Sequence, residues 1–67
     1  MSGTTILRDT VGDAEVVTQM APEGDRWISV VSGGAMDGYV SVMDLKGDQA
    51  VLHAAVVEHV TGSAEQP

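Results

Sequence analysis

Three Gly-Asp dipeptides punctuate this chain, at Gly12-Asp13, Gly24-Asp25 and Gly47-Asp48, each between apolar runs. Glycine at the first central position of a two-residue loop supplies the positive φ that a type II′ hairpin turn requires. Pro22, two residues ahead of Gly24, presets φ for the second break. A fourth and longer break, Ser32-Gly33-Gly34-Ala35-Met36-Asp37-Gly38, carries three glycines. So closely spaced a set of turn signals leaves room only for short elements.

Between the breaks lie segments rich in β-branched residues, as strands prefer. Thr4 to Asp9 sets Thr5 and Leu7 against Ile6 and Arg8. Ala14 to Met20 sets Val16, Thr18 and Met20 against Glu15, Val17 and Gln19. Arg26 to Val31 sets Ile28 and Val30 against Trp27, Ser29 and Val31. Gly38 to Leu45 sets Val40 and Val42 against Tyr39, Ser41 and Met43. The last segment, Gln49 to Val60, reads two ways. As a strand it places Leu52, Ala54, Val56, Glu58 and Val60 on one face. As a helix it is N-capped by Asp48 and favoured by Ala50, Ala54 and Ala55, but opposed by Val51, Val56, Val57 and Val60, which lose χ1 freedom there. The valines favour the strand. The fold expected is therefore all-β, a five-stranded antiparallel meander curled into a small SH3-like or OB-like barrel. The alternative is four strands plus a C-terminal helix. One domain is expected over residues 4–60, with residues 1–3 a disordered N-terminus and 61–67 a flexible polar tail.

Size limits what such a domain can do alone. A chain of 67 residues buries only about 60% of its unfolded surface, so scaffolds of this length generally need a staple. The absence of cysteine removes disulfides and thiolate zinc sites, which leaves association with another chain as the first staple to consider. Eleven valines, two isoleucines, three leucines and four methionines are too many for a chain that stays unfolded. No apolar run is long enough to span a bilayer, and the first residues lack the basic and apolar regions of a signal peptide. The expected location is the cytoplasm or the inside of an assembled particle. Ten Asp/Glu against three Lys/Arg give a net charge of −7. With Arg8, Arg26 and Lys46 scattered, there is no basic cluster to neutralise phosphates, so neither nucleic acid nor an anionic membrane is an expected partner.

Groups able to do chemistry are few. His53 and His59 are the only imidazoles. On a strand they share a face about 20 Å apart; on a helix they lie roughly 240° apart. Neither geometry lets both hold one ion, and two half-exposed histidines on a sheet face is the expectation. Ser29, Ser32 or Ser41 could be written into a triad with His53 and an Asp, but no Gly-x-Ser-x-Gly elbow surrounds them. The Gly33–Gly38 segment begins like a phosphate loop, yet Tyr39-Val40 stands where Lys-Ser/Thr is required. Asp37 and Asp44 form the nearest carboxylate pair and read as turn and solvent-face residues. Lys46-Gly47-Asp48 has the form of an integrin-recognition tripeptide but reads as a turn. No catalytic residue, cofactor, metal or small-molecule substrate is expected.

Candidate contact residues for a protein partner are Trp27, Met36, Asp37, Tyr39 and Met43. Trp27 either closes one end of the barrel or docks another chain, and Met36 sits in a glycine-flanked loop as an adaptable apolar contact. Apolar residues on both faces of the third and fourth segments imply that both faces are at least partly covered. The leading functional expectation is a non-catalytic interaction or assembly module, self-associating or a small subunit of a larger complex such as a virion or shell. The alternative is an acidic inhibitor or antitoxin-like protein that occupies a basic, nucleic-acid-binding site on its partner; it requires carboxylates gathered on one face.

Overall fold

Segment 49–60 folds as a helix, not as a fifth strand, in the structure, a computed structural model that describes residues 5–64. The elements run β1 (Leu7–Val11), β2 (Ala14–Met20), β3 (Arg26–Ser32), β4 (Val40–Asp44) and α1 (Gln49–Ala64). The strands form an antiparallel meander in the order β1-β2-β3-β4. The five-stranded barrel is thus replaced by its alternative, a four-stranded open sheet with one C-terminal helix.

Packing explains why the valines did not prevent the helix. Leu52, Val56 and Val60 fall one turn apart on one face of α1 and are buried, as is His53. Burying each large apolar side chain contributes about 1.5–3 kcal/mol, whereas valine costs at most about 0.7 kcal/mol of helix propensity. Three buried side chains therefore outweigh four unfavourable propensities. As a strand the same segment would put His53 on the face opposite Leu52, Val56 and Val60.

The helix lies across one face of the sheet. Ala14 and Val16 of β2 and Val31 of β3 join Leu52, Val56 and Val60 in the core, with Val11, Trp27, Met36, Met43 and Val57 packed around it. Trp27 does not close a barrel. It sits under the helix and donates its indole N–H to the Gly47 carbonyl (3.3 Å), tying β3 to the connection ahead of α1. A Cβ at Gly47 would stand 2.5 Å from the Met43 sulfur, so a larger residue there would require the flexible Met43 side chain to shift.

The three Gly-Asp pairs do three different jobs. Gly12 (φ +58°) and Asp13 form the two-residue loop between paired Val11 and Ala14, with positive φ at glycine alone, the type II′ pattern. Gly24 instead ends a turn whose N–H returns to the Ala21 carbonyl (2.8 Å). Gly47-Asp48 is no hairpin: Asp48 caps α1, its carboxylate accepting from the Ala50 N–H (2.9 Å).

Boundaries shift accordingly. The first strand starts at Leu7 rather than Thr4, and β4 spans Val40–Asp44 rather than 38–45. The helix runs past Val60 to Ala64, through the start of the expected tail. Residues 1–4 and 65–67, which include the expected disordered N-terminus and the rest of that tail, lie outside the described residues. No helix among the described residues is long and apolar enough to cross a membrane.

If Asp48 is the cap that starts α1, Asp48→Ala lowers stability by about 1 kcal/mol. Urea denaturation followed by far-UV circular dichroism measures this, and an unchanged midpoint would assign helix initiation to packing alone.

Candidate functional site

Four inward positions of the sheet, Asp9, Thr18, Ser29 and Ser41, break the apolar pattern, and the first three serve one histidine. The alternation that buries Val16 also turns Thr18 inward; that of Trp27 and Val31 turns Ser29 inward; and Asp9, paired with Val16, faces the same side. His53 descends onto them from the first turns of α1. Its Nδ1 lies 2.7 Å from Thr18 Oγ1, and its Nε2 lies 2.6 Å from Asp9 Oδ2. Thr18 Oγ1 lies 2.9 Å from Ser29 Oγ. The result is one hydrogen-bonded chain, Asp9–His53–Thr18–Ser29, crossing three strands and the helix.

The same heavy-atom positions accommodate two proton arrangements, because each hydroxyl has one proton and a free rotor. In one, Ser29 donates to Thr18, Thr18 donates to Nδ1, and Nε2–H donates to Asp9. In the other, an imidazolium donates from both nitrogens, and the Thr18 hydroxyl donates a hydrogen bond to Ser29. Every member has a partner in either case, and among the described residues no buried side-chain polar atom is left unpaired.

An acid, an imidazole and two hydroxyls in sequence have the composition of a nucleophilic triad, but not its access. Thr18 and Ser29 are both 0% exposed, so no substrate atom reaches either oxygen, and a nucleophile must meet its electrophile at near-contact distance. Both nitrogens of His53 are taken up by protein partners. The chain of contacts is a polar clamp inside the core. The expectation of two half-exposed histidines on a sheet face is corrected here: His53 is 7% exposed on a helix, and only His59 is exposed, its ring centroid 5.5 Å from that of Tyr39. The helical spacing of six residues turns the two imidazoles apart, as the geometry requires.

Of the other serines, Ser41 faces the helix side of β4, half-buried, and Ser32 is exposed at the end of β3. Asp37 and Asp44 sit at opposite ends of β4 and do not meet. Asp37 accepts from the Gly33 N–H (2.7 Å) and Asp44 from the Lys46 N–H (2.8 Å). The glycine loop folds onto the Asp13–Ala14 turn, where a side chain at Gly33 would strike the Asp13 carbonyl; its Gly33 donor is already used by Asp37. A groove of about 230 Å³ lies at that end, among Val11, Asp13, Ala14, Ala35, Met36 and Val60, with Asp13 the one polar side chain in its lining.

The five candidate contact residues do not form one surface. Trp27, Met36 and Met43 pack around the core, Asp37 closes its loop, and Tyr39 stands beside His59 at the rim. The surface that sequence reasoning missed is the opposite face of the sheet. Strand pairing sets Val17 beside Val30, Val30 beside Val40, and Ile28 beside Val42 on that face. Val40 and Val42 are 51% and 54% exposed, and no element among the described residues lies over them. The outward alternation was readable; that only one face would be covered was not.

Charge is dispersed around this face. Arg8 pairs with Glu15 (3.5 Å) near β1. At the other end Arg26 holds Asp25 (2.9 Å); the hydrogen bond from Arg26 lowers the Asp25 pKa, and the same contact raises that of Arg26. Compared with known protein families, curated proteins and solved structures, the chain matches none.

The clamp makes a stability prediction. Thr18→Val keeps the shape but strands His53 Nδ1 and the Ser29 hydroxyl, and should cost about 1–3 kcal/mol. Asp9→Asn should cost less, about 0–1 kcal/mol, because the Asp9 side chain is 58% exposed. Chemical denaturation of both variants checks the order, and a neutral Thr18→Val would show that the clamp does not hold the fold.

Proposed function

We propose that this chain is a non-catalytic protein-interaction and assembly module, working through the uncovered face of its sheet. The observation that carries this reading is the apolar patch of Val17, Ile28, Val30, Val40 and Val42. Its members are contiguous through the strand register, and Val40 and Val42 are more than half exposed. Isolated exposed apolar residues are ordinary on a protein surface, whereas a contiguous patch of them is the usual mark of a contact site. The groups that could do chemistry support the same reading, since Thr18, Ser29 and His53 are spent on holding helix to sheet.

The carboxylates favour this reading over an acidic inhibitor. Asp9, Glu15, Asp25, Asp37, Asp44 and Asp48 each engage a nearby donor, and they lie at both ends and on both sides of the sheet. A decoy for a basic site would instead hold them free on one face.

Sedimentation equilibrium of the full chain from micromolar to millimolar concentration tests the proposal. The average mass should climb above 6.9 kDa, and Val30→Glu should displace the curve to concentrations at least tenfold higher. A chain that stays at its monomer mass throughout, and captures no protein through a photo-crosslinking residue at position 30, would remove the reading.

A further inference from the structure

We infer that the partner is a second copy of this chain, joined edge to edge through β4 in an antiparallel pair centred on Ser41. This rests on the interaction-module reading and names its partner and contact.

The backbone supplies the first reason. Tyr39 accepts a hydrogen bond from the Val31 N–H (2.9 Å), so its carbonyl faces β3. In an antiparallel ladder the direction alternates by residue. Ser41 and Met43 therefore also face β3, while the N–H and C=O groups of Val40 and Val42 point out of the sheet. β4 is an edge in the strand order. It presents two donors and two acceptors at the spacing a further strand would need.

The second reason is self-complementarity. A two-fold axis normal to the sheet at Ser41 sets Val40 against Val42 of the second copy, and Val42 against its Val40. These are the residues whose peptide groups point outward, so both pairs form hydrogen-bonded rings. Tyr39 then faces Met43, and Ser41 faces its own counterpart across the axis. The strip from Tyr39 to Met43 contains no charged residue, so two chains of net charge −7 meet there without opposing like charges. Natural edges are commonly protected by charge or proline; β4 has no proline, and its one charged residue, Asp44, stands at its end, opposite Gly38 of the second copy in this register.

The other edge behaves differently. The two-residue loop pairs Val11 with Ala14, so Val11, Asp9 and Leu7 face β2, and Arg8 and Thr10 face out. Centred on its middle residue, β1 would set Asp9 against Asp9, two carboxylates at the closest approach a ladder allows.

Pairing at β4 also continues the apolar face. A two-fold axis normal to the sheet keeps both uncovered faces on the same side, so the Ile28, Val30, Val40 and Val42 patches of two copies become one. The contact alone is small and corresponds to a weak, concentration-dependent dimer. Because both copies are acidic, raised salt should strengthen it, whereas salt would weaken binding to a basic partner.

Single cysteines test the register, since the chain has none of its own. Opposed residues of a pair without mutual hydrogen bonds have Cα atoms about 4.5 Å apart, within disulfide range. Under oxidised glutathione, Ser41→Cys should give a disulfide dimer. Met43→Cys, whose counterpart lies about 13 Å away along the strand, and Thr10→Cys on the opposite edge should not. Val42→Pro removes an outward N–H that β3 does not use, and should weaken association more than tenfold at an unchanged melting temperature. Should Val42→Pro disturb the fold, Val42→Lys blocks the same edge while keeping the backbone donor. If the wild-type mass climbs with concentration, yet these edge variants associate like wild type and Ser41→Cys crosslinks no better than Thr10→Cys, the β4 pairing is overturned while the interaction module stands. A wild-type chain that remains a monomer up to millimolar concentration overturns the self-pairing outright, and capture at position 30 then decides whether the broader reading survives.

Discussion

One helix can cover only one face of a four-stranded sheet. That constraint organises this molecule. Leu52, Val56 and Val60 cover Ala14, Val16 and Val31 on one side, and the described residues hold no second helix to place on the other. Yet the other face is built of valine and isoleucine, the residues strands prefer. Soluble antiparallel sheets with one solvated face usually alternate apolar inward with polar outward. Here Arg8, Thr10, Glu15, Gln19 and Ser32 follow that rule near β1 and along one end, while Ile28, Val30, Val40 and Val42 break it towards β4. The departure is graded across the sheet, from an edge with Arg8 and Asp9 at its middle to one whose only charge, Asp44, lies at its end.

Much of the architecture was legible. Strand alternation sorted the residues of β2 and β3 into the two face sets that the structure shows, with Thr18 beside Val16 and Ser29 beside Val31, because side-chain direction along a strand follows a period of two whatever the fold; it did not say which set the helix would cover. Turn chemistry located the breaks, though only Gly12-Asp13 proved to be the two-residue hairpin. The same dipeptide at Gly47-Asp48 served a helix cap, since an Asp carboxylate accepts from a helical N–H as readily as it fits a turn. The last segment was misjudged because propensity is local, whereas the burial that reversed it depends on a sheet far away in sequence.

The clamp was half visible. Ser29 and His53 were both named as possible partners, and a polar residue at an inward position is itself a signal of a buried hydrogen bond. Their meeting depends on Thr18 and Asp9, which lie 35 and 44 residues from His53. No spacing rule spans such distances. Access was invisible as well: the arrangement resembles reactive chemistry until burial shows that its hydroxyls meet nothing but each other and the ring.

The distances along the chain have a kinetic consequence. Asp9, Thr18 and Ser29 lie on three strands, and His53 comes from the helix packed across them. The clamp is complete only when all four segments have docked, across separations of 35 and 44 residues, so its loop-closure cost comes before its reward. Contacts made after the rate-limiting barrier act on unfolding. An imidazole that closes after that barrier is a latch, slowing the opening of the finished domain and leaving its assembly speed to the hairpins.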